Sequence, residues 1–425
     1  MKRIKALSIP ADSDNGSFAG AAGALGGRVT PLERGLTHRM LETPGRPALG
    51  VVLWNGEEFS SVSAPVARLR IHDRRAFYKL LNNPELQFGE LYSTGRIEVD
   101  GNLVRFLETA YGSGASVSWM SPWKKHLGRW LHRSHTNTLA GSRKNIHHHY
   151  DISNEFYTLW LDDEMQYTCA YFPDPQMTLE AAQIAKLDHV CRKLQLKPGD
   201  RVVEAGCGWG GLARHMARHY GAQVTAYNIS HEQIAYARER AKREGLAESV
   251  QYVEDDYRTI SGKYDVFVSV GMLEHVGHQH YSELGSVMDR SLTSRGRALI
   301  HSIGRNRPGR LNPWIEKRIF PGGYPPSLRE MLEVFEPHDF SVLDVENLRL
   351  HYAKTLEHWL KRYEQHFERV CKMFDSNFAR AGRLYLAGSI AAFTMSTLQL
   401  FQVTVARARD NDIPWSRAHL YVDAG

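Results

Sequence analysis

The sequence predicts an α/β fold with a doubly wound, mostly parallel sheet, preceded by a smaller N-terminal α+β domain. Strand-like and helix-like patterns alternate from about residue 202 to residue 303, which is typical of such a sheet. The strand-like runs are Val202–Ala205, Gln223–Ile229, Val250–Glu254, Tyr264–Val270 and Ala298–Ile303. The helix-like runs between them are Leu212–Tyr220, His231–Glu244 and Tyr281–Leu292.

A glycine-rich turn follows the first of these strands directly. Gly206, Gly208 and Gly210 alternate with Cys207 and Trp209. Such a turn lets the backbone approach a nucleotide-like ligand at the N-terminus of the next helix. Its G-x-G-x-G spacing is not that of a dinucleotide motif, and no P-loop Gly-Lys-Ser/Thr follows, which favours S-adenosylmethionine over NAD or ATP. A purely structural tight turn is the alternative.

The ends of the next two strands carry polar candidates for the same ligand. Asn228 ends the second strand, where a ribose-binding group commonly lies. Ser230 and Gln233 have the spacing of a capping box, so Gln233 either only caps the helix or also reaches the ribose. Asp256 and Tyr257 follow the third strand and could hold an adenine, or Asp255 and Asp256 could form an exposed turn.

Composition is that of an ordinary globular protein of 425 residues with a formal net charge of +6. The four cysteines show neither metal-binding nor disulfide spacing, and no signal peptide is evident, so we expect a protein of the reducing cytoplasm. No metal site is predicted either, because the adjacent triplet His147–His149 has no partner at metal-binding spacing.

The positive charge concentrates in a tryptophan-rich linker, residues 113–147. Lys124, Lys125, Arg129 and Arg133 occur here together with Trp119, Trp123 and Trp130, and residues 113–149 contain no acidic side chain. Tryptophan and cations on one amphipathic helix suit the surface of an anionic membrane. A helix that only bridges two domains is the alternative. Nucleic acid is not an expected partner, because the charge is balanced elsewhere and no reader motif is present.

The linker divides the chain into a small N-terminal domain, residues 1–112, and a large domain, residues 148–425. In the first, short strands are expected at Leu49–Trp54, Glu58–Val62 and Ala67–Ile71, and we expect it to be lipid-binding. In the second, residues between Arg383 and Arg407 carry no charge. Because this stretch contains many Ser, Thr and Gln residues, we predict a buried helix packed on the sheet and followed near Phe401 by an edge strand, not a membrane span.

Several motifs occur in a specific order along the large domain. They are His149-Tyr150-Asp151-Ile152-Ser153-Asn154, Tyr167-Thr168-Cys169-Ala170-Tyr171-Phe172, the glycine turn, Gly271-Met272-Leu273-Glu274-His275-Val276, His301-Ser302-Ile303-Gly304, Phe320-Pro321-Gly322-Gly323 and His351-Tyr352-Ala353-Lys354-Thr355-Leu356. This set strongly resembles the cyclopropane-fatty-acyl-phospholipid synthase family, which includes the mycolic acid cyclopropane synthases, over about residues 145–408. The resemblance implies a Rossmann-like class I methyltransferase fold.

The resemblance also implies a reaction. Family members transfer the methyl group of S-adenosylmethionine to a cis double bond of an acyl chain, which leaves a carbocation, and a bound bicarbonate ion then assists the loss of a proton that closes a cyclopropane ring. The groups implied to hold the bicarbonate are Cys169 and Ile303 through their backbones and Glu274, His301 and Tyr352 through their side chains. Tyr150, Tyr167, Phe172 and Tyr324 are candidates for stabilising the cation. Taken singly, Glu274, His301 and Cys169 could be ordinary buried residues.

The cofactor contacts implied by the resemblance are Tyr167, Thr168, Gly206, Gly208, Trp209, Asn228, Gln233 and Tyr257, to which strand position adds Asp256. The substrate expected is a membrane phospholipid with unsaturated acyl chains, modified by a cytoplasmic enzyme that associates peripherally with the inner face of the membrane. The resemblance also implies a homodimer, since family members are often dimers. Three alternatives remain open: a methylene- or methyl-branched product, N-methylation of a small amine, and lipid binding without catalysis.

Overall fold

The computed structural model describes residues 27–42, 45, 47–113 and 153–421. The chain forms two compact units that are both discontinuous in sequence. The first consists of residues 1–135, 312–321 and 359–397, and the second of residues 136–311, 322–358 and 398–425. The sequence was divided into contiguous domains instead, because composition does not show which later helices pack with the N-terminal strands. Most of the linker, residues 114–147, lies outside the described residues.

The first unit is built on a four-stranded sheet in the order β2-β1-β3-β4. Its strands are β1 (Leu49–Val52), β2 (Glu58–Ser60), β3 (Ala67–Ile71) and β4 (Ile97–Asp100). Its helices are Pro31–Leu41, Arg74–Asn82, Pro84–Ser93, Leu103–Gly112, Pro313–Arg318, Phe367–Met373 and Ser376–Thr394. The three predicted N-terminal strands are therefore confirmed as β1, β2 and β3, each ending within two residues of the expected position.

The helix Ser376–Thr394 explains part of the uncharged stretch near the end of the chain. It packs against Pro84–Ser93 and Leu103–Gly112 within the first unit. Among the residues that the structure describes, no helix is both long enough and apolar enough to cross a membrane. The prediction of a buried helix is confirmed, but its predicted packing on the sheet is wrong, because the helix packs against helices of the first unit.

The second unit contains a seven-stranded sheet in the order β10-β11-β9-β8-β5-β6-β7. Its strands are β5 (Arg201–Ala205), β6 (Gln223–Asn228), β7 (Val250–Glu254), β8 (Tyr264–Val270), β9 (Leu292–Gly304), β10 (Phe340–Asn347) and β11 (Gln399–Arg407). Strands β5 to β9 pair in parallel, whereas β11 pairs antiparallel with both β9 and β10. The predicted mostly parallel sheet is confirmed. The prediction that the strand near Phe401 is an edge strand is wrong, because β10 pairs outside it.

Helices cover both faces of this sheet. They are Asn154–Thr158, Leu179–Lys193, Gly211–Tyr220, His231–Arg243, Leu273–Val276, Tyr281–Ser291, Leu328–Leu332 and the first part of Arg349–Gln365. Neighbouring strand residues enter different hydrophobic clusters: Val202 packs with Leu212 and its neighbours, whereas Val203 packs with Leu284 and its neighbours. Since successive side chains of a strand point to opposite faces, this alternation shows a doubly wound sheet.

Candidate active site

The turn after β5 combines three glycines whose backbone only glycine adopts readily. Their φ angles are +85° at Gly206, +53° at Gly208 and +76° at Gly210. A Cβ atom on Gly210 would lie 2.4 Å from the hydroxyl oxygen of Tyr252, whereas one on Gly208 would have no atom within 4 Å. Gly210 therefore permits close packing, while Gly208 borders open space in which a ligand can approach the backbone.

Two amide side chains lie beside this turn at the end of β6. Asn228 donates from Nδ2 to the Gln233 Oε1 atom at 2.7 Å and to the Gly208 carbonyl at 3.4 Å. The Ser230 hydroxyl accepts from the Gln233 backbone amide at 3.4 Å, as predicted for a cap. The Gln233 side chain, however, contacts Asn228 instead of completing a capping box. It is thereby positioned at the glycine turn, where a ribose-binding group would be needed.

Asp256 and Tyr257 are buried at the end of β7. Asp255 is half-buried, so the alternative of an exposed turn at Asp255 and Asp256 is wrong. The Asp256 carboxylate accepts from the backbone amide of Arg258 at 3.0 Å and forms an ion pair with its guanidinium at 3.3 Å. The same guanidinium carbon lies 5.0 Å from the centre of the Tyr257 ring. Arg258 therefore fixes both the carboxylate and the ring that were predicted to hold an adenine.

The indole of Trp209 is buried in an aromatic cluster with Tyr157 and Tyr167. Its Nε1 donates to Asn154 Oδ1 at 2.7 Å, and its ring centre lies 4.9 Å from that of Tyr157. The Tyr157 ring centre is in turn 5.6 Å from that of Tyr167. The side chain of Trp209 thus holds the segment near Tyr167 against the turn. Because the indole is engaged in this packing, any contact of Trp209 with the cofactor would be made by the Trp209 backbone.

A buried lysine that the sequence analysis missed holds Thr168. Lys186 is fully buried, and its Nζ donates to Gln166 Oε1 at 2.6 Å and to Thr168 Oγ1 at 3.0 Å. Burial lowers the pKa of Lys186 to about 8. In the sequence, Lys186 lies four residues from both Ala182 and Val190, on an apolar face of its helix. This spacing could have predicted a buried lysine, since a lysine on such a face requires polar partners inside the protein.

Glu274 and Ile303 are in direct contact. The Glu274 Oε1 atom accepts from the backbone amide of Ile303 at 2.6 Å, and the Glu274 carbonyl accepts from the Tyr324 amide at 2.8 Å. The other carboxyl oxygen, Oε2, is buried and has no hydrogen-bond partner among the described residues. Burial raises the pKa of Glu274 to about 7, although the Ile303 amide and the Ser302 hydroxyl oppose this shift. The Ile303 amide, predicted to bind the anion, is thus engaged by Glu274 in this structure.

His301 is buried on β9 opposite Gln402 of β11. The Gln402 Nε2 and the His301 Nδ1 lie 3.0 Å apart. Burial, reinforced by the positive charges of Lys186 and Lys193, lowers the pKa of His301 to about 3. The imidazole is therefore neutral. We assign the Gln402 amide as the donor to Nδ1, which places the imidazole proton on Nε2 and makes Nε2 a donor.

Cys169 and Tyr352 both contact the carbonyl of Leu348, directly before the helix Arg349–Gln365. Cys169 is fully buried, with its sulfur 3.1 Å from the Ala170 carbonyl and 3.9 Å from the Leu348 carbonyl. The Leu348 carbonyl also accepts from the Tyr352 amide at 3.1 Å. Burial raises the pKa of the Cys169 thiol far above its usual range, so the thiol stays protonated.

Gly271 connects these two halves of the site. Its amide donates to the His301 carbonyl at 2.9 Å, and a Cβ atom at Gly271 would lie 3.0 Å from the Thr168 Cγ2 atom. The chain between Thr168 and Phe172 is fixed further by Thr355, whose hydroxyl accepts from the Ala170 amide at 3.0 Å. The structure therefore brings together the predicted residues of four separate motifs in one compact unit. Tyr150 lies outside the described residues.

Comparison with known proteins agrees with this geometry. The family model described as mycolic acid cyclopropane synthetase matches residues 137–403, and a domain of unknown function matches residues 37–120. The chain is 34% identical over 389 residues to a probable fatty acid methyltransferase of Pseudomonas putida, covering 88% of this chain and 96% of the relative. It is 37% identical over 358 residues to the cyclopropane-fatty-acyl-phospholipid synthase of Escherichia coli (strain K12), covering 84% of this chain and 91% of that protein.

Among solved structures, the mycolic acid cyclopropane synthase CmaA1 in complex with SAH and CTAB matches with a TM-score of 0.59 and 30% identity. The match covers 62% of this chain and 98% of that chain. Family model, relatives and fold all agree. The chain belongs to the mycolic acid cyclopropane synthetase family and is an S-adenosylmethionine-dependent methyltransferase.

Proposed function

We propose that the protein methylates the cis double bond of an unsaturated acyl chain in a membrane phospholipid, and that a bicarbonate ion held in the site assists the deprotonation that closes a cyclopropane ring. The substrate rests on the similarity to the Escherichia coli synthase, whose name specifies a fatty-acyl phospholipid. The ring closure rests on the chemistry of the buried groups around Glu274.

The residues around the glycine turn fit S-adenosylmethionine. Gly208 leaves open space at the turn, and the amides of Asn228 and Gln233 are positioned beside it. Asp256 and Tyr257 provide a buried carboxylate and a ring at the end of the next strand. When bound there, the cofactor would supply the methyl group as an electrophile.

The buried oxygen Oε2 of Glu274 is the observation that carries the proposal for bicarbonate. With a pKa of about 7, Glu274 is substantially protonated at neutral pH, and its Oε1 already accepts from Ile303. The proton therefore belongs on Oε2, which becomes a donor. Together with Nε2 of the neutral His301, this makes two donors; Lys186 and Lys193 add positive charge nearby, which Glu346 partly offsets. An anion fits such a site, and bicarbonate, once bound, would supply the base.

The protein itself must shield the carbocation from water. Cys169, His301 and Glu274 are all at most 8% exposed, so the groups implied in catalysis lie away from bulk solvent. Phe172 and Tyr324 lie on segments that are hydrogen-bonded in this region. The Phe172 backbone amide donates to His351 Nδ1 at 3.0 Å, and the Tyr324 backbone amide donates to the Glu274 carbonyl. Aromatic faces stabilise a desolvated cation by about 2 kcal/mol.

The same site could yield a branched chain if the proton leaves from a different carbon. The similarity to the probable fatty acid methyltransferase of Pseudomonas putida favours this second candidate, since its name specifies methylation without a ring. An N-methylated amine is less favoured, because a small amine has no use for a buried anion site with two donors. We also propose that the basic linker, outside the described residues, binds the inner membrane surface.

Bicarbonate affinity is expected to decrease as the pH rises above about 7. Deprotonation of Glu274 both removes the Oε2 donor and places a negative charge beside the anion, so the dissociation constant should rise by up to about tenfold per pH unit. Calorimetric titration between about pH 6 and pH 9, at a constant concentration of bicarbonate itself, would measure this. The Glu274→Gln variant serves as the control and should show no such rise. A wild-type affinity independent of pH would contradict the protonated state of Glu274.

Replacing Gln402 with Leu is expected to lower turnover by about tenfold, the scale of one lost hydrogen bond. Without the glutamine donor, part of the His301 population moves its proton to Nδ1 and loses the Nε2 donor. Nitrogen NMR of histidine-labelled protein would report the tautomer directly. Gln399→Leu is the matched control, because Gln399 is a buried glutamine of the same strand whose amide oxygen accepts from Asn347. Unchanged His301 resonances in Gln402→Leu would refute the assignment.

A further inference from the structure

Arg305 directly follows β9, two residues after Ile303 of the candidate site. Its backbone amide donates to the Pro326 carbonyl at 2.8 Å, and it forms an isolated parallel bridge with Ser327. The backbone at this position is therefore fixed on both sides. Gly309 lies over the side chain, since a Cβ atom there would be 3.2 Å from an Arg305 terminal nitrogen.

The guanidinium of Arg305 is only partly exposed, yet no carboxylate neutralises it within the described residues. Its Nε is buried without a hydrogen-bond partner there. Burial lowers the pKa of Arg305, and only the phenol of Tyr324 acts in the opposite direction. Other arginines of the same unit that are withdrawn from water have acidic partners: Arg214 pairs with Glu164 at 2.7 Å, and Arg258 pairs with Glu283 at 3.0 Å.

A desolvated guanidinium without an anion is costly, and its planar set of donors matches a phosphate. Two further arginines, Arg307 and Arg310, follow within the next five residues, and the next acidic residue in the chain is Glu316. Arg307 is exposed, so the loop presents positive charge at the surface as well as beneath it.

The location of Arg305 relates this charge to the reaction. The Tyr324 phenol lies near Arg305 and raises the pKa of the guanidinium. The backbone amide of Tyr324 donates to the Glu274 carbonyl at 2.8 Å. Ile303, two residues before Arg305, donates to the Glu274 carboxylate. Arg305 is thus connected on both sides to the loop that carries Glu274, while no contact joins its guanidinium to that carboxylate. An anion held by Arg305 would be near the reacting centre without being part of it.

We propose that Arg305 binds the phosphate group of the phospholipid whose acyl chain is methylated, with Arg307 adding attraction at the surface. The proposal rests on the proposed function, because it requires a phosphate-bearing lipid as the substrate. A phosphate fixed at the end of β9 orients the glycerol-linked acyl chain toward Glu274 and His301.

The test compares two lipids that differ only in the phosphate headgroup, in the same neutral detergent micelles: dioleoylphosphatidylcholine and dioleoylglycerol. Arg305→Gln should raise the KM for the phospholipid by about tenfold or more with little change in kcat, and should leave the kinetics with dioleoylglycerol unchanged. Arg305→Lys should recover part of the loss. Arg295→Gln removes an exposed positive charge from the opposite end of β9 and should change neither lipid's kinetics. An equal loss with both lipids, or no loss with either, would overturn the proposal.

Two further measurements separate the possible sources of phosphate and the possible causes of failure. Inorganic phosphate in the millimolar range should not compete with the phospholipid. Competition that disappears in Arg305→Gln would assign the site to free phosphate and overturn the lipid proposal. Calorimetric binding of a short-chain phosphatidylcholine needs no turnover: tighter binding by wild type than by Arg305→Gln supports the proposal even if the acyl chain is not methylated, and equal binding overturns it.

Discussion

Replacing Glu274 with Gln is expected to lower turnover by about 10²–10⁴-fold, the range for loss of a positioned acid or base. The amide oxygen of Gln can still accept from the Ile303 amide, so the local backbone should be preserved. What is lost is the titratable proton on Oε2, because the amide group of Gln cannot release a proton or take one up when the anion binds. Since the glycine turn lies in other elements, we expect the dissociation constant for S-adenosylmethionine to change by less than about threefold.

Turnover with unsaturated liposomes and calorimetric binding of S-adenosylmethionine would measure the two effects separately. Glu274→Asp is an informative comparison, because it keeps the acid but withdraws it by one methylene group from Ile303. Glu333→Gln is a suitable control, since this half-exposed carboxylate pairs with His278 at the surface and should not affect catalysis. Turnover of Glu274→Gln within about tenfold of wild type would remove Glu274 from the chemistry.

Gly208→Ala is expected mainly to weaken cofactor binding, whereas Gly210→Ala is expected mainly to lower the stability of the protein. Both positions have positive φ, so both variants lose about 1–2 kcal/mol from backbone strain. At Gly208 the new methyl group enters open space and should raise the dissociation constant for S-adenosylmethionine by about tenfold or more. At Gly210 it would lie 2.4 Å from the Tyr252 hydroxyl, which itself donates to the Gly210 carbonyl at 2.9 Å. Overpacking there adds about 1–3 kcal/mol of destabilisation.

Thermal unfolding and calorimetric titration on the same two variants would test this difference. Gly208→Ala should unfold below wild type only by the amount that backbone strain causes, while binding the cofactor poorly. Gly210→Ala should have the clearly lower unfolding temperature. If Gly208→Ala binds S-adenosylmethionine as wild type does, the open space at this turn is not the cofactor site.

The parallel part of the sheet could be predicted because each strand is a short apolar run bounded by polar turns. The stretches between the strands have apolar residues at helical spacing, which predicts the helices. Strand β10 was missed for a local reason. Its pairing with β11 shifts between Val342 and Asp344, and a bulge of this kind breaks the alternation by which a half-buried strand is recognised. Once β10 was missed, β11 was wrongly interpreted as the edge of the sheet.

The candidate site was predictable where its residues follow linear motifs, as with Glu274 and His301. The partners that set their protonation were not. Gln402 faces His301 only because β11 and β9 pair in one specific register, and the sequence does not contain that register. Lys186 and Thr355 likewise contact Thr168 and Ala170 from helices that are distant in the chain, and these contacts exist only in the folded protein. In the sequence Gln402 indicated only that the uncharged stretch was unsuited to a membrane span.

The measurement that tests the central claim most directly uses S-adenosylmethionine with a trideuterated methyl group. Purified protein would be incubated with this cofactor, bicarbonate and liposomes of dioleoylphosphatidylcholine, and the lipids examined by mass spectrometry and proton NMR. We predict a product that keeps two of the three deuterons and shows cyclopropane resonances, because the proton that leaves comes from the new methyl group. A product that keeps all three deuterons would show that the proton leaves from the acyl chain or that the cation is reduced. That result would contradict ring closure at Glu274 and His301.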